Sequence, residues 1–498
     1  MKRSENTIGD PEIRSQYSLL PSLNDLLLDP HFATILQVES HSTVVRSTRA
    51  VLLRVKQEIA DGRHSHASLK NQLAGLHLAV ADEISQNKRY SLRRVINATG
   101  VILHTNLGRA PLGASAIEHI TEIAAGYSNL EFDLETGERS RRDVHGEELL
   151  LRLLGIRAGT VDENSADTPR AAVVVNNCAA ATFLALNSLA EGTDVIVSRG
   201  ELVEIGGGFR IPEILAKSGA HLREVGTTNR TRLADYEDAI SAETGLILRV
   251  HQSNFSIEGF TERPTLQDLI ALGKRRNIPV FNDQGTGLIP SLEGLGVRAE
   301  PTLLDSFRLG VDLIAASGDK LLGGPQCGLL IGRVDLIDRI RKNPLLRTFR
   351  VDKLTYAALE ATLMNYLSEK ADSIPIINIL HATPLEILKR CEWVADQVRS
   401  DDLFTEAVPV FSLIGGGTAP AARLQSSAVS LRHATLQPQA LLHALRQVKP
   451  PVIGRVSDDT VLLDLRTVEP EFDTTLVSLL QQAARVPAVS NPLSFGQK

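Results

Sequence analysis

The chain has little cysteine, three residues in 498. Cys178, Cys327 and Cys391 lie far apart and form no CxxC pair. That excludes a disulfide scaffold and a clustered zinc site, and it fits a reducing cytosol. Long apolar runs are also missing. None approaches the roughly 18 residues that a membrane span needs. The first residues, MKRSENTIGDPE, carry no apolar stretch of the kind a signal peptide has. A strong charge of one sign is absent too, since the formal net charge is −6. The balance is uneven, however. Residues 1–95 hold 13 Lys+Arg and 10 Asp+Glu, which makes that section mildly basic on an acidic remainder. An anionic partner touching one end would suit this pattern, although such an excess is common on helical domains.

What is present is ample core. Hydrophobic residues make up 43% and charged residues 22%, the mix of an ordinary globular protein, and the length allows about three domains. Residues 1–18 are polar and read as disordered. From Ser22 to Tyr90 the pattern is helical. Val44, Thr48, Val51, Val55 and Ile59 recur at spacings of three and four, as do Leu69, Leu73, Leu76, Val80 and Ile84. Asp61-Gly62 separates the two stripes, and Lys88, Arg89, Arg93 and Arg94 form a basic exit. A pair of histidines, His64 and His66, has no second pair of ligands nearby and reads as solvated loop residues.

From Val95 short apolar runs alternate with helical patterns. Strands are predicted at Val101–His104, Ala171–Val175, Asp194–Ser198, His221–Val225, Gly245–Val250, Ile278–Asn282, Asp312–Ser317 and Gly328–Ile331. Helices are predicted at Pro111–Ala125, Ala179–Leu189, Pro212–Lys217 and Lys353–Ala371. This alternation argues for an α/β fold with a mostly parallel central sheet covered on both faces. Val161–Pro169 reads as a polar surface insertion. The end of the chain reads as a smaller α/β domain with strands at Ala428–Arg432 and Thr460–Leu465, a Gly415-Gly416-Gly417 turn and a loose tail. The boundaries drawn are 1–94 for a helical domain, 95–372 for a large domain and 373–498 for a small one.

Active sites in parallel sheets gather at the carboxyl ends of strands. Three features fall there. Lys320 follows the apolar run Leu313–Ala316, so its stem would be buried and its amine near a polar mouth, a setting that lowers a lysine pKa and favours Schiff-base chemistry. Most lysines in a Ser-Gly-Asp-Lys turn are simply solvated, so Lys320 alone decides nothing. Asp283 ends a second strand, where it suits either an Asx-turn or a partner for a protonated ring nitrogen. Asn176-Asn177-Cys178-Ala179-Ala180 is a strand-to-helix turn of small residues whose amides could hold a phosphate, or could simply pack closely. An aspartate for the pyridinium nitrogen and a lysine for the aldehyde are the protein groups that pyridoxal phosphate demands. In this order, with the turn, they match fold-type-I pyridoxal-phosphate enzymes (aspartate aminotransferase-like).

Seven segments carry a closer resemblance: RRVINATGVILHTNLGRAPL (93–112), YSNLEFDLETGERSRR (127–142), VVVNNCAAATFLAL (173–186), SRGELVEIGGGFRIPEI (198–214), VFNDQGTGL (280–288), SGDKLLGGPQCGLLIG (317–332) and LRTFRVDK (346–353). They resemble the bacterial L-seryl-tRNA(Sec) selenium transferase family, also called selenocysteine synthase, from about residue 20 to near the C-terminus. The resemblance implies a cytoplasmic fold-type-I enzyme that uses pyridoxal 5′-phosphate and selenophosphate. Its product would be L-selenocysteinyl-tRNA(Sec), made from L-seryl-tRNA(Sec) through a Schiff base and an aminoacrylyl-tRNA intermediate. It also implies an N-terminal tRNA-binding domain and a homo-oligomer, a ring of dimers (homodecamer), with no role for membrane or DNA.

By the same resemblance Lys320 is the Schiff-base lysine and Asp283 the partner of the pyridine nitrogen. Asn177, Cys178, Ala179 and Ser317 fall in the cofactor cradle. Arg109, Arg347 and Arg350 face the selenophosphate, where arginine's planar fork suits a phosphate better than lysine does. Asp319 adjoins the lysine and serves either proton transfer or the turn. Cys178 departs from the family's small residue at that position. Arg347 and Arg350 share a face if their segment is helical.

Two other functions are compatible with the residues. A fold-type-I lyase or transferase for a free amino acid or amino sugar would need a carboxylate-binding arginine, for which Arg455 and Arg466 are candidates. A non-catalytic tRNA-binding protein would have no use for the Asp283–Lys320 pair.

Overall fold

The computed structural model describes residues 11–155, 169–205, 208–295, 300–420 and 422–485. The predicted insertion at Val161–Pro169, apart from Pro169, and the predicted tail lie outside the described residues. The chain divides into two compact units, Met1–Arg94 and Val95–Lys498.

The first unit is helical: α1 (Pro11–Tyr17), α2 (Leu23–Leu28), α3 (Pro30–Val38), α4 (His41–Ala60), α5 (His66–Ala74) and α6 (Leu76–Asn87). The stripe Val44, Val51, Val55 and Ile59 is buried as its spacing predicts. Ser40 caps α4 by accepting the Thr43 amide. Two expectations change. Residues 11–17, read as disordered, form a helix, tied down where Gln16 Nε2 donates to the His64 carbonyl at 2.8 Å. The second stripe is not one helix, because the chain breaks at Gly75 between α5 and α6. His64 engages Glu58 at 3.1 Å, and His66 sits 3.1 Å from Ser15. At the exit Lys88 pairs with Glu39 at 2.6 Å, whereas Arg89 and Arg93 are exposed.

The second unit is built on a seven-stranded sheet. Its strands are β1 (Arg170–Val175), β2 (Asp194–Ser198), β3 (His221–Val225), β4 (Thr244–Val250), β5 (Val280–Gly285), β6 (Leu313–Ser317) and β7 (Gly328–Arg333), in the order β1-β7-β6-β5-β4-β2-β3. Every neighbouring pair is parallel except those made by β7, which runs against both β6 and β1. Both faces are covered. Val174, Ile196, Ile247 and Val280 pack into one core, and Val173, Val195, Leu248 and Phe281 into another. Double burial explains why these strands read as continuous apolar runs rather than alternating ones. The helix α7 (Cys178–Ala190) covers the second face; α8 (Leu266–Arg276) and α9 (Leu303–Arg308) cover the first.

A four-stranded antiparallel sheet follows, β8 (Leu403–Leu413), β9 (Arg423–His433), β10 (Arg455–Ser457) and β11 (Thr460–Asp464), ordered β8-β9-β11-β10. The expected strand at Val101–His104 is not a strand. Ile102 and Leu103 donate to the carbonyls of Leu413 and Ile414, which leaves only an isolated bridge at Val101. The helix expected to run to Ala371 stops at Leu367. Among the described residues no helix is long and apolar enough to cross a membrane.

Candidate active site

Strand order brings the chemistry together. β5 and β6 are parallel neighbours, so Asp283 and the turn after Ser317 meet at the same carboxyl edge. Lys320 is 8% exposed. Its Nζ donates to the Gly417 carbonyl at 2.7 Å. Burial pushes its amine below the usual lysine range, against the opposing pull of Cys178 and Asp283. A Cβ added to Gly285 would lie 3.8 Å from both Asp283 Oδ1 and Lys320 Nζ, so the carboxylate and amine flank one small gap.

Asp283 is 9% exposed. Burial raises its pKa, while the Thr182 hydroxyl, donating to Oδ2 at 3.0 Å, and the Lys320 charge work to keep it ionised. The Cys178 thiol lies 3.7 Å from Oδ1 and also bonds Ser317, and burial beside Asp283 raises its pKa. This thiol is therefore a neutral donor, not a nucleophile.

The strand-to-helix turn has a built geometry. Asn177 caps α7, its side chain accepting the Ala180 amide at 2.8 Å and its carbonyl the Ala181 amide. The amides of Cys178 and Ala179 come before these, at the open end of a helix of 13 residues. Gly328 on β7 packs so closely here that a Cβ would strike the Asn177 carbonyl. These amides, with the aspartate and the lysine, offer the three attachment points of an aromatic aldehyde phosphate.

The arginines are placed unequally. Arg109, at φ 63° in the left-handed region, is bound to Asp319 at 2.7 Å. Asp319 is thus a charge partner as well as a turn residue. Arg350 lies beside the phosphate turn, because Asn176 donates to the Phe349 carbonyl and Val175 bridges Arg350. Its guanidinium is 3.6 Å from Glu131. Arg347 is exposed in the four-residue helix α10 (Leu346–Phe349), and no salt bridge or side-chain hydrogen bond engages it among the described residues. Arg350 falls beyond that helix in extended backbone, so the expected shared helical face does not form.

Sequence reading missed Thr182, Gly417 and Glu131. Thr182 stands four residues after Cys178, on the same helical face, and that spacing was an available signal. Arg466 is engaged elsewhere, donating to the carbonyls of Ile379, Ala382 and Gln425. Arg455 donates to the Thr99 carbonyl at 2.6 Å.

Comparison with known proteins identifies the family. The model of the family described as SelA: L-seryl-tRNA selenium transferase matches residues 95–469. The chain is 43% identical over 441 residues to the L-seryl-tRNA(Sec) selenium transferase of Aquifex aeolicus (strain VF5), covering 88% of this chain and 93% of that one. It is 40% identical over 474 residues to the protein of that name from Geobacter sulfurreducens, covering 94% and 99%. Among solved structures, D-glucosaminate-6-phosphate ammonia-lyase superposes with a TM-score of 0.53 at 17% identity, covering 79% of this chain and 96% of that one. That likeness is one of fold, the fold-type-I architecture. Taken with the match across most of its length, the chain belongs to the L-seryl-tRNA(Sec) selenium transferase family.

Proposed function

We propose that this protein converts L-seryl-tRNA(Sec) to L-selenocysteinyl-tRNA(Sec), with selenophosphate as the selenium donor and pyridoxal 5′-phosphate as the cofactor. The observation that carries the reading is the buried Lys320–Asp283 pair at the edge of two adjacent parallel strands. When bound, the cofactor supplies an electron sink for carbanion chemistry at the serine α-carbon. Asp283 would face its ring nitrogen, and Thr182 and Cys178 hold that carboxylate in place. The amides of Cys178 and Ala179, with Asn177 and Ser317, would receive its phosphate.

Lys320 would hold the cofactor's aldehyde and, with its amine free, would take the proton from the serine α-carbon. Burial lowers its pKa, which favours the neutral, basic form of the amine. The serine hydroxyl would then take a proton and leave the β-carbon as water; the donor's selenium would bond to that carbon, and water would cleave its Se–P bond to release orthophosphate. Arg109, Arg350 and Arg347 would hold the donor's phosphate; of these, Arg109 is fixed by Asp319 and Arg347 is free to reach. Asp319 steers Arg109 and is a further candidate for proton transfer.

In this reading residues 1–94 bind the tRNA, 95–372 form the catalytic domain and 373–498 the small domain. RNA contact there would fall on phosphates and 2′-hydroxyls, through cations such as Arg89 and Arg93. The assembly would be a cytoplasmic ring of dimers, a homodecamer. A free amino acid substrate is less well served, since the arginines available for its carboxylate, Arg466 and Arg455, are already bound to carbonyls.

The test uses Lys320→Ala. It is expected to lose both the visible absorbance of the lysine–cofactor adduct and all turnover of seryl-tRNA with selenophosphate. Normal turnover by that variant would end the reading.

A further inference from the structure

A cavity of about 840 Å³ opens at the carboxyl ends of β2, β4 and β5, on the side that Gln284 faces. Its lining carries four carboxylates and three guanidiniums; of the carboxylates, Glu262 is held by Arg230 and Asp305 by Thr302. Arg249 pairs with Glu201 at 2.9 Å and His251 with Glu300 at 3.3 Å. Arg263 reaches only a neutral amide, Gln252, at 3.4 Å, and Arg423 has no salt bridge or side-chain hydrogen bond among the described residues. Two guanidiniums therefore line the space outside any salt bridge among the described residues. Burial and the neighbouring Arg249 depress the Arg263 pKa, against the opposing pull of Glu201. Acceptors are unmet as well. Among the described residues Gln284, 1% exposed, has an unpartnered Oε1, and His251 Nδ1, an acceptor when Nε2 holds the ring proton, is also buried without a partner. Buried polar atoms are rarely left unpaired in native proteins. A ligand that satisfies this lining needs an anionic group at one end and hydroxyl or N–H donors at the other. A nucleoside phosphate has both.

The cavity adjoins the lysine. The Gly417 carbonyl accepts from Lys320, and the Gly417 amide donates to the Ser253 carbonyl at 3.1 Å. Gln252 and Phe255, on either side of Ser253, line the cavity, as does Ala419. A single strap of backbone thus separates the two spaces. In an aminoacylated RNA the amino acid is esterified directly to the terminal ribose. A serine whose amine lies at Lys320 places that ribose one ester linkage away.

We propose that this cavity receives the 3′-terminal nucleotide of the serylated RNA. Arg263 and Arg423 hold its phosphate, and Gln284 and His251 accept from its sugar and base. The assignment rests on the seryl-tRNA reading above. The test is calorimetric titration of the cofactor-loaded protein with the trinucleotide cytidylyl-cytidylyl-adenosine, for wild type, Arg263→Gln and Arg423→Gln. Arg423 is exposed, so its variant does not endanger the fold. Saturable binding is expected, about tenfold weaker in each variant and resistant to millimolar inorganic phosphate. Absence of binding, unchanged affinity in both variants, or complete displacement by inorganic phosphate would overturn the assignment. Turnover of full-length seryl-tRNA by wild type, measured in parallel, separates the two claims. Turnover without arginine-dependent trinucleotide binding sinks the cavity alone. Arginine-dependent binding without turnover keeps a nucleotide site and ends the transferase reading.

Discussion

Asp283 and Gln284 are adjacent on β5 and face opposite sides of the sheet, and the two sides treat polar groups differently. On the Asp283 side the buried charged groups have partners: Lys320 the Gly417 carbonyl, Asp283 the Thr182 hydroxyl, Asp319 the Arg109 guanidinium. On the Gln284 side the Gln284 amide oxygen, His251 Nδ1 and the neighbouring Ser253 hydroxyl are buried and unpartnered. Alternation along a strand is enough to create this division. The paired side is preorganised for chemistry, with geometry that must not move. The unpaired side keeps polar groups that the proposed nucleotide would satisfy.

The largest expected effect comes from breaking the paired side at its centre. Asp283→Ala removes the preorganised charge and should lower kcat about 10²–10³-fold while the cofactor still attaches to Lys320. Steady-state kinetics beside an absorbance spectrum checks both parts; unchanged kcat would remove Asp283 from the chemistry. Next comes Thr182→Val, which keeps the shape and deletes one hydrogen bond to a charged group, a loss of about 1.5–3 kcal/mol. The Thr182 bond lowers the Asp283 pKa, so its loss lets that pKa rise further. The acid limb of the pH–rate profile, where Asp283 must be ionised, should then move to higher pH. A profile lowered uniformly, with no shift, would make Thr182 only a packing residue.

Much of this division is legible in the residue string, and the remainder is hidden for a physical reason. Strand ends, Lys320, Asp283 and the Asn177–Ala180 turn are local signals, since each depends on an apolar run and the few residues after it. Thr182 and Gly417 act across the fold. The Lys320–Gly417 bond joins residues 97 apart in the chain, and no periodicity marks it. The Val101–His104 run shows the converse error. Its composition is that of a strand, but its amides meet Leu413 and Ile414 on one side only. The three arginines were found by resemblance; only the fold distinguishes Arg109, locked to Asp319, from exposed Arg347.

A smaller effect sharpens the contrast through stability. The folded state depresses the Lys320 pKa below its ordinary 10.5. Between the depressed value and 10.5 the unfolded chain binds more protons, so stability rises with pH across that window. Below the window both states are protonated, and the protein carries the full cost of a buried ammonium. Lys320→Met in cofactor-free protein removes that cost. The variant should be more stable than wild type at neutral pH, by about 1.4 kcal/mol for each unit of depression, with the gap closing as pH approaches the ordinary value. Thermal melts at several pH values read this directly, and a gap that widens with pH would contradict it.

The smallest effect tests the unpaired side without any ligand. Ser253 is 4% exposed and its hydroxyl has no partner among the described residues, so the folded protein bears the cost of stripping water from that group. Ser253→Ala deletes the hydroxyl together with that cost, and stability should stay level or rise, by about 1 kcal/mol at most. Thr182→Ala deletes a hydroxyl of the same kind on the paired side, where it is bonded to Asp283, and should destabilise. Two hydroxyl deletions at one sheet edge then give opposite signs. Chemical denaturation of both variants in cofactor-free protein decides the matter. If Ser253→Ala is as destabilising as Thr182→Ala, the hydroxyl is satisfied after all, and the contrast between the two sides of β5 fails at its most exposed point.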